Sequence, residues 1–144
     1  MHQATPRLRD AARRLLALEA NGTERDATEA ALSALGKIRS HLSKLVGITG
    51  FQVLLERALT MTKAEAGWLT SVRVQSDATL EGFGEAAQNQ SDDVTLEGSV
   101  ALLAQLLRLL IAFIGENLTV GIVRDVWPDS QAADGDFGAE ETPE

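Results

Sequence analysis

Apolar residues recur along most of this chain at steps of three and four, the period of an α-helix rather than of a strand. Leu8, Ala11, Ala12 and Leu15 predict a helix over 5–20, capped by Thr5 and with Pro6 in the first helical position, where a missing N–H costs nothing. The triplet ANG at 20–22 supplies a stop. Thr23 is then expected to cap a second helix over 24–46, whose Ala31, Leu35, Ile38, Leu42 and Leu45 make a heptad seam. So short a connection predicts an antiparallel helical hairpin. Gly47 can close that second helix. Thr49 and Gln52 are spaced as a capping box, and Ile48 and Val53 as a hydrophobic staple. A third helix over 50–66 follows, with Phe51, Leu54, Leu55, Ala58, Leu59 and Thr62 on one face.

The middle of the chain is less regular. Val72 and Val74 alternate with polar residues before SDA at 76–78, which predicts a small β-hairpin near 72–80. A short helix from Trp68 followed by a loop fits the same residues, and both readings stay open. Residues 84–93, GEAAQNQSDD, read as a polar loop.

Residues 100–115, VALLAQLLRLLIAFIG, contain a single charge, Arg108. A bilayer-spanning helix needs about 20 apolar residues, and an arginine at its centre costs at least ~2.5 kcal/mol. On a helical wheel Glu97, Ala101, Gln105, Arg108, Ala112 and Gly115 form one narrow stripe, with Leu, Ile and Phe on the remaining faces. That predicts the central helix of a bundle, 94–115, with Gln105 and Arg108 facing water and no transmembrane segment. A last short helix is expected over 118–127, with Asn117 as its cap and Pro128 as its stop.

Composition agrees with a helical domain over 1–127: the chain has 144 residues, 44% of them hydrophobic and only 4% aromatic. The absence of cysteine excludes disulfides and thiolate chemistry and accords with a cytoplasmic setting. The start MHQATPRLRDAARR has no apolar core of a secretory leader. The glycosylation-type triplets at Asn21 and Asn117 therefore read as helix caps. The net charge of −8 is uneven. Residues 128–144 hold six acids and no base, and are expected to be a disordered acidic tail. The nearly neutral remainder lacks the basic face that nucleic acid requires, so no nucleic-acid partner is expected.

Candidate chemistry is sparse. His2 and His41 are the two histidines, too few for a convergent metal site. No nucleophile elbow accompanies the serines near His41. GFGEAA at 82–87 matches G-x-G-x-x-A but runs into QNQSDD instead of an apolar helix, so no dinucleotide fingerprint is expected. Asp92 and Asp93 read as helix N-terminal acids. Arg7, Arg9, Arg13 and Arg14 form a basic run on the first helix, read first as a solvated face and otherwise as a surface for an anionic membrane, an acidic partner or the chain's own tail.

Residues 40–55, SHLSKLVGITGFQVLL, resemble the phospho-acceptor helix of sensor histidine kinases in Ser40, His41, Lys44, Gly50 and Phe51. In size and helicity the chain also resembles a histidine phosphotransfer module. Either resemblance implies phosphoryl transfer through His41. The chain departs from both: Leu42 stands where the kinases place an acid, no Pro-Leu pair follows, the Gly comes early, and Leu45 replaces the Gly that follows the Lys of phosphotransfer modules. Taken alone, His41 reads as a helix-surface or seam residue.

These observations predict an all-α fold of about five helices and a non-enzymatic interaction or adaptor module without a cofactor. The expected partner is a protein, of which a second copy bound through the Ala-rich faces of the first two helices is one form. The alternatives are a phosphotransfer protein using His41 and a bundle that binds a small acidic ligand through Gln105 and Arg108.

Overall fold

The computed structural model describes residues 6–20 and 26–128. Thr5, Thr23 and the acidic tail from residue 129 onward lie outside the described residues. The fold is all-α with one small antiparallel hairpin. In chain order the elements are α1 (Pro6–Ala20), α2 (Ala27–Lys63), a 3-10 turn (Gly67–Leu69), β1 (Arg73–Val74), β2 (Leu80–Glu81), α3 (Phe83–Gln88), α4 (Asp92–Ile114) and α5 (Glu116–Val126).

Pro6 opens α1 as the sequence predicts, and Leu8, Ala11, Ala12, Leu15 and Leu16 form its buried stripe. The second helix begins at Ala27, three residues later than expected, because Asp26 rather than Thr23 is its cap: the Asp26 carboxylate accepts from the Glu29 N–H at 2.9 Å. The expected second and third helices are two halves of α2, which bends at Gly47 (φ 81°, ψ 160°). A side chain at that φ would crowd the backbone, so glycine suits the bend. The second half follows at once and leaves no room for the expected capping box; Gln52 Nε2 instead donates to Glu56, one turn ahead. The staple does not form either, since Ile48 and Val53 are both exposed. The heptad seam is buried through Leu42, but Leu45 is 57% exposed because the chain turns away at Gly47. All six residues on the predicted inner face of the second half, from Phe51 to Thr62, are buried.

Both readings of the irregular region contain part of the structure. Trp68 lies in the 3-10 turn, and the hairpin pairs Arg73 with Glu81 and Val74 with Leu80. The expected loop over 84–93 is corrected: residues 83–88 form α3, because Phe83 and Ala87 stand one turn apart and both find the core. Phe83 packs on Trp68 with ring centroids 5.9 Å apart.

The central helix, α4, is capped by Ser91, which accepts from the Val94 N–H at 3.1 Å, with Asp92 and Asp93 in the first turn. It packs against α1, α2 and α5. Leu102, Leu103, Leu106 and Leu107 are fully buried, each worth roughly 1.5–3 kcal/mol. Among the described residues α4 is the one helix long and apolar enough to cross a membrane by length and composition, and 67% of its apolar window is buried inside the molecule. Gly98 gives Trp68 its place on α4, since a Cβ there would stand 2.5 Å from the indole Cζ2. At Gly115 (φ 95°, ψ 159°) the chain bends as it does at Gly47, and α5 starts at Glu116. The expected cap, Asn117, therefore lies inside α5; the glycine turn lets the new helix start two residues earlier.

Two contacts set the direction of α4. Trp68 meets Gly98, and Arg108 meets Met61, so moving forward along α4 moves backward toward the start of the second half of α2. The Gly115 bend therefore lies toward the end of the bundle that holds the Gly47 bend.

Candidate functional site

The basic run on α1 is partly occupied by acids from other elements. Arg9 pairs with Glu65, just beyond α2, at 2.6 Å. Arg13 donates to both carboxylate oxygens of Glu97 on α4, at 2.7 and 3.3 Å. The pair raises the Arg13 pKa above its ordinary value, with the Glu97 hydrogen bond the main cause, and the same bond lowers the pKa of Glu97. Arg7 and Arg14 are exposed on the same helix.

Gln105 and Arg108 come together, but not on a water-facing stripe. Gln105 is only 1% exposed, and its Oε1 accepts from Arg108 Nε at 3.0 Å. Arg108 Nη2 donates to the Met61 sulfur at 2.9 Å. The expectation of a solvent stripe through Ala101 and Gln105 is overturned because helices pack on α4 from more sides than one. Gln105 Oε1 and Arg108 Nη2 are thus both engaged within the bundle.

His41 is half-buried on the first half of α2, its Nδ1 3.4 Å from the Lys37 carbonyl. It borders a groove of about 320 Å³ shared with Ser33, Lys37, Ser40 and Asp125. Among the described residues no three His, Asp or Glu side chains converge as metal ligands would.

Sequence reasoning passed over a buried, heavily bonded polar group. Glu19 has its side chain 2% exposed at the end of α1. Its carboxylate accepts from Ser33 Oγ at 2.6 Å, from Lys37 Nζ at 2.9 Å and from the Trp127 indole N–H at 2.9 Å. Burial pushes the Glu19 pKa up, and the Ser33, Lys37 and Trp127 hydrogen bonds outweigh it, leaving the carboxyl below its ordinary range. One side chain thus ties α1 to α2 and to the residue that ends α5. The signal was present in the spacing: Glu19 follows Ala12 by seven residues and Leu15 by four, on the apolar stripe itself.

The remaining feature is apolar. Leu45 (57% exposed) and Ile48 flank the Gly47 bend, and Phe113 (61%) and Leu118 (54%) flank the Gly115 bend. No known protein family, curated protein or solved structure matches the chain.

Proposed function

We propose that the protein is a non-enzymatic interaction module that presents the apolar surface around its two glycine bends to a protein partner, the simplest being a second copy of the chain. The observation that carries this reading is that four of the seven large exposed apolar side chains among the described residues flank those bends, Leu45 and Ile48 at one and Phe113 and Leu118 at the other. Clustered apolar exposure marks interaction surfaces, whereas single exposed leucines are ordinary. This reading places the surface at the bends rather than on the Ala-rich faces of α1 and α2, whose Ala11, Ala12, Ala30, Ala31 and Ala34 are buried within the bundle. Light scattering over a range of protein concentrations tests the self-association form. The wild type is expected to dimerise, and Phe113→Ser with Leu118→Ser to remain folded and monomeric. A wild type that stays monomeric at millimolar concentration would sink it.

The second reading is phosphoryl transfer at His41. It is favoured by the half-buried imidazole at the edge of a groove that also holds Lys37, Ser33 and Ser40. Incubation with a small-molecule phosphodonor, followed by mass spectrometry beside His41→Gln, tests it; an unmodified wild type rejects it.

A further inference from the structure

Gly36 stands in the interior of the first half of α2, and a Cβ built on it would meet no atom within 4 Å. A glycine there costs roughly 0.5–1 kcal/mol relative to alanine, and no close neighbour requires it. Gly36 borders a groove of about 280 Å³ between α2 and the tip of the β-hairpin, and also the groove beside His41. Leu32, Leu35, Leu55 and Leu80 line the groove at the hairpin tip, and Arg39 is the one charged side chain among its lining residues.

The hairpin tip beside this groove is strained. Ala78 lies in the left-handed region at φ 64°, which non-glycine residues seldom adopt, and it is 3% exposed. Such strain persists only where the surroundings impose it, and ligand clamps are one place where it gathers. Here Arg39 Nε donates to the Asp77 carbonyl at 2.7 Å, so the arginine that borders the groove also holds the tip. The Asp77 carboxylate accepts from Thr79, which lowers its pKa, and the Arg39 charge also helps to lower it. The bond from Arg39 to the carbonyl engages Nε and leaves the Nη donors to a further acceptor.

We propose that this groove binds a small amphipathic anion, a medium-chain carboxylate whose acyl chain lies among the leucines over Gly36 and whose head group takes the Nη donors of Arg39. A guanidinium offers two parallel N–H donors that match a carboxylate. At about 280 Å³ the groove suits a short aliphatic chain rather than a long one. The site is separate from the surface at the glycine bends, so the two readings stand or fall independently.

Octanoate and octanol, titrated into the full chain at millimolar concentrations and followed by amide NMR and thermal shift, test the proposal. Octanoate is expected to shift the Leu32, Gly36, Arg39 and Leu80 amides saturably and to raise Tm, with octanol at least tenfold weaker. Arg39→Gln should abolish that preference, and Gly36→Leu should block octanoate by filling the groove. Phe113→Ser should leave octanoate binding unchanged. The proposal is overturned if these amides do not move, if octanol binds as well as octanoate, or if Arg39→Gln retains wild-type affinity. Should Gly36→Leu fail to fold, Arg39→Gln decides alone.

Discussion

Arg13 meets Glu97 through two hydrogen bonds with side chains 44% and 58% exposed, whereas Glu19, six residues further along the same helix, accepts three donors with its side chain 2% exposed. Both sites join α1 to its neighbours with the same kinds of group. Water reaches the first and screens it, so the pair contributes about 0.2–1 kcal/mol. Water is excluded from Glu19, so its buried donor, the Trp127 indole N–H, depends on the carboxylate for satisfaction, whereas Lys37 is half exposed. The difference shows that the worth of an ionic contact lies in what is left unpaired when it is removed, more than in the contact itself.

The largest expected effect is therefore at Glu19. Breaking a buried ion pair costs about 3–5 kcal/mol. Lys37 is half exposed and can recover water, so Glu19→Ala is expected to cost about 2–3 kcal/mol in urea unfolding. A loss no greater than that of Arg13→Ala would erase the distinction between the two ends of α1.

Acid sharpens the same comparison. The folded pKa of Glu19 lies below its unfolded value, so its stabilisation is fully present above the unfolded range near 4.3 and is lost as pH falls through the lower folded value. Glu97 is shifted in the same direction by Arg13. Glu19→Gln is expected to flatten the fall in stability below about pH 4.3, with the residual slope coming from Glu97 and other carboxylates. Unfolding curves of wild type and Glu19→Gln that run parallel through this range would count against the assignment.

Trp127→Phe keeps most of the ring and removes one donor to Glu19, at an expected cost of about 1 kcal/mol. Combined with Glu19→Ala, it should cost less than the sum of the two, because the partners share one network. Strict additivity in that cycle would mean that the indole bond contributes nothing. The smallest effect is expected from Arg13→Ala: about 0.5 kcal/mol at low salt, falling toward zero in 1 M salt as screening increases. A salt-insensitive loss would place that pair with Glu19 instead.

The helical class, the break at Gly47, the buried face from Phe51 to Thr62 and the central place of α4 were all legible in the chain, because residue spacing and glycine position act locally. Two elements were misjudged for a related reason. The helix at Phe83–Gln88 is too short for its period to register, and it exists because Phe83 and Ala87 meet the core. The stripe through Gln105 was rightly grouped on one face, and Glu97 and Ala112 on it are exposed, but Ala101 and Gln105 are buried, since a helical wheel carries no record of which neighbours arrive.

The candidate sites divide along the same line. By itself the sequence determined which stretches are helical, where Gly47 bends the chain and which faces turn inward, since these depend on backbone preference and on residues a few positions apart. Only the tertiary structure decided that Glu19 receives Ser33, Lys37 and Trp127, that Arg9 and Arg13 find Glu65 and Glu97, and that Gly36 lies opposite a strained hairpin tip. Those outcomes join residues distant in the chain, and the exclusion of water that gives them their energy exists only once the helices have closed around them.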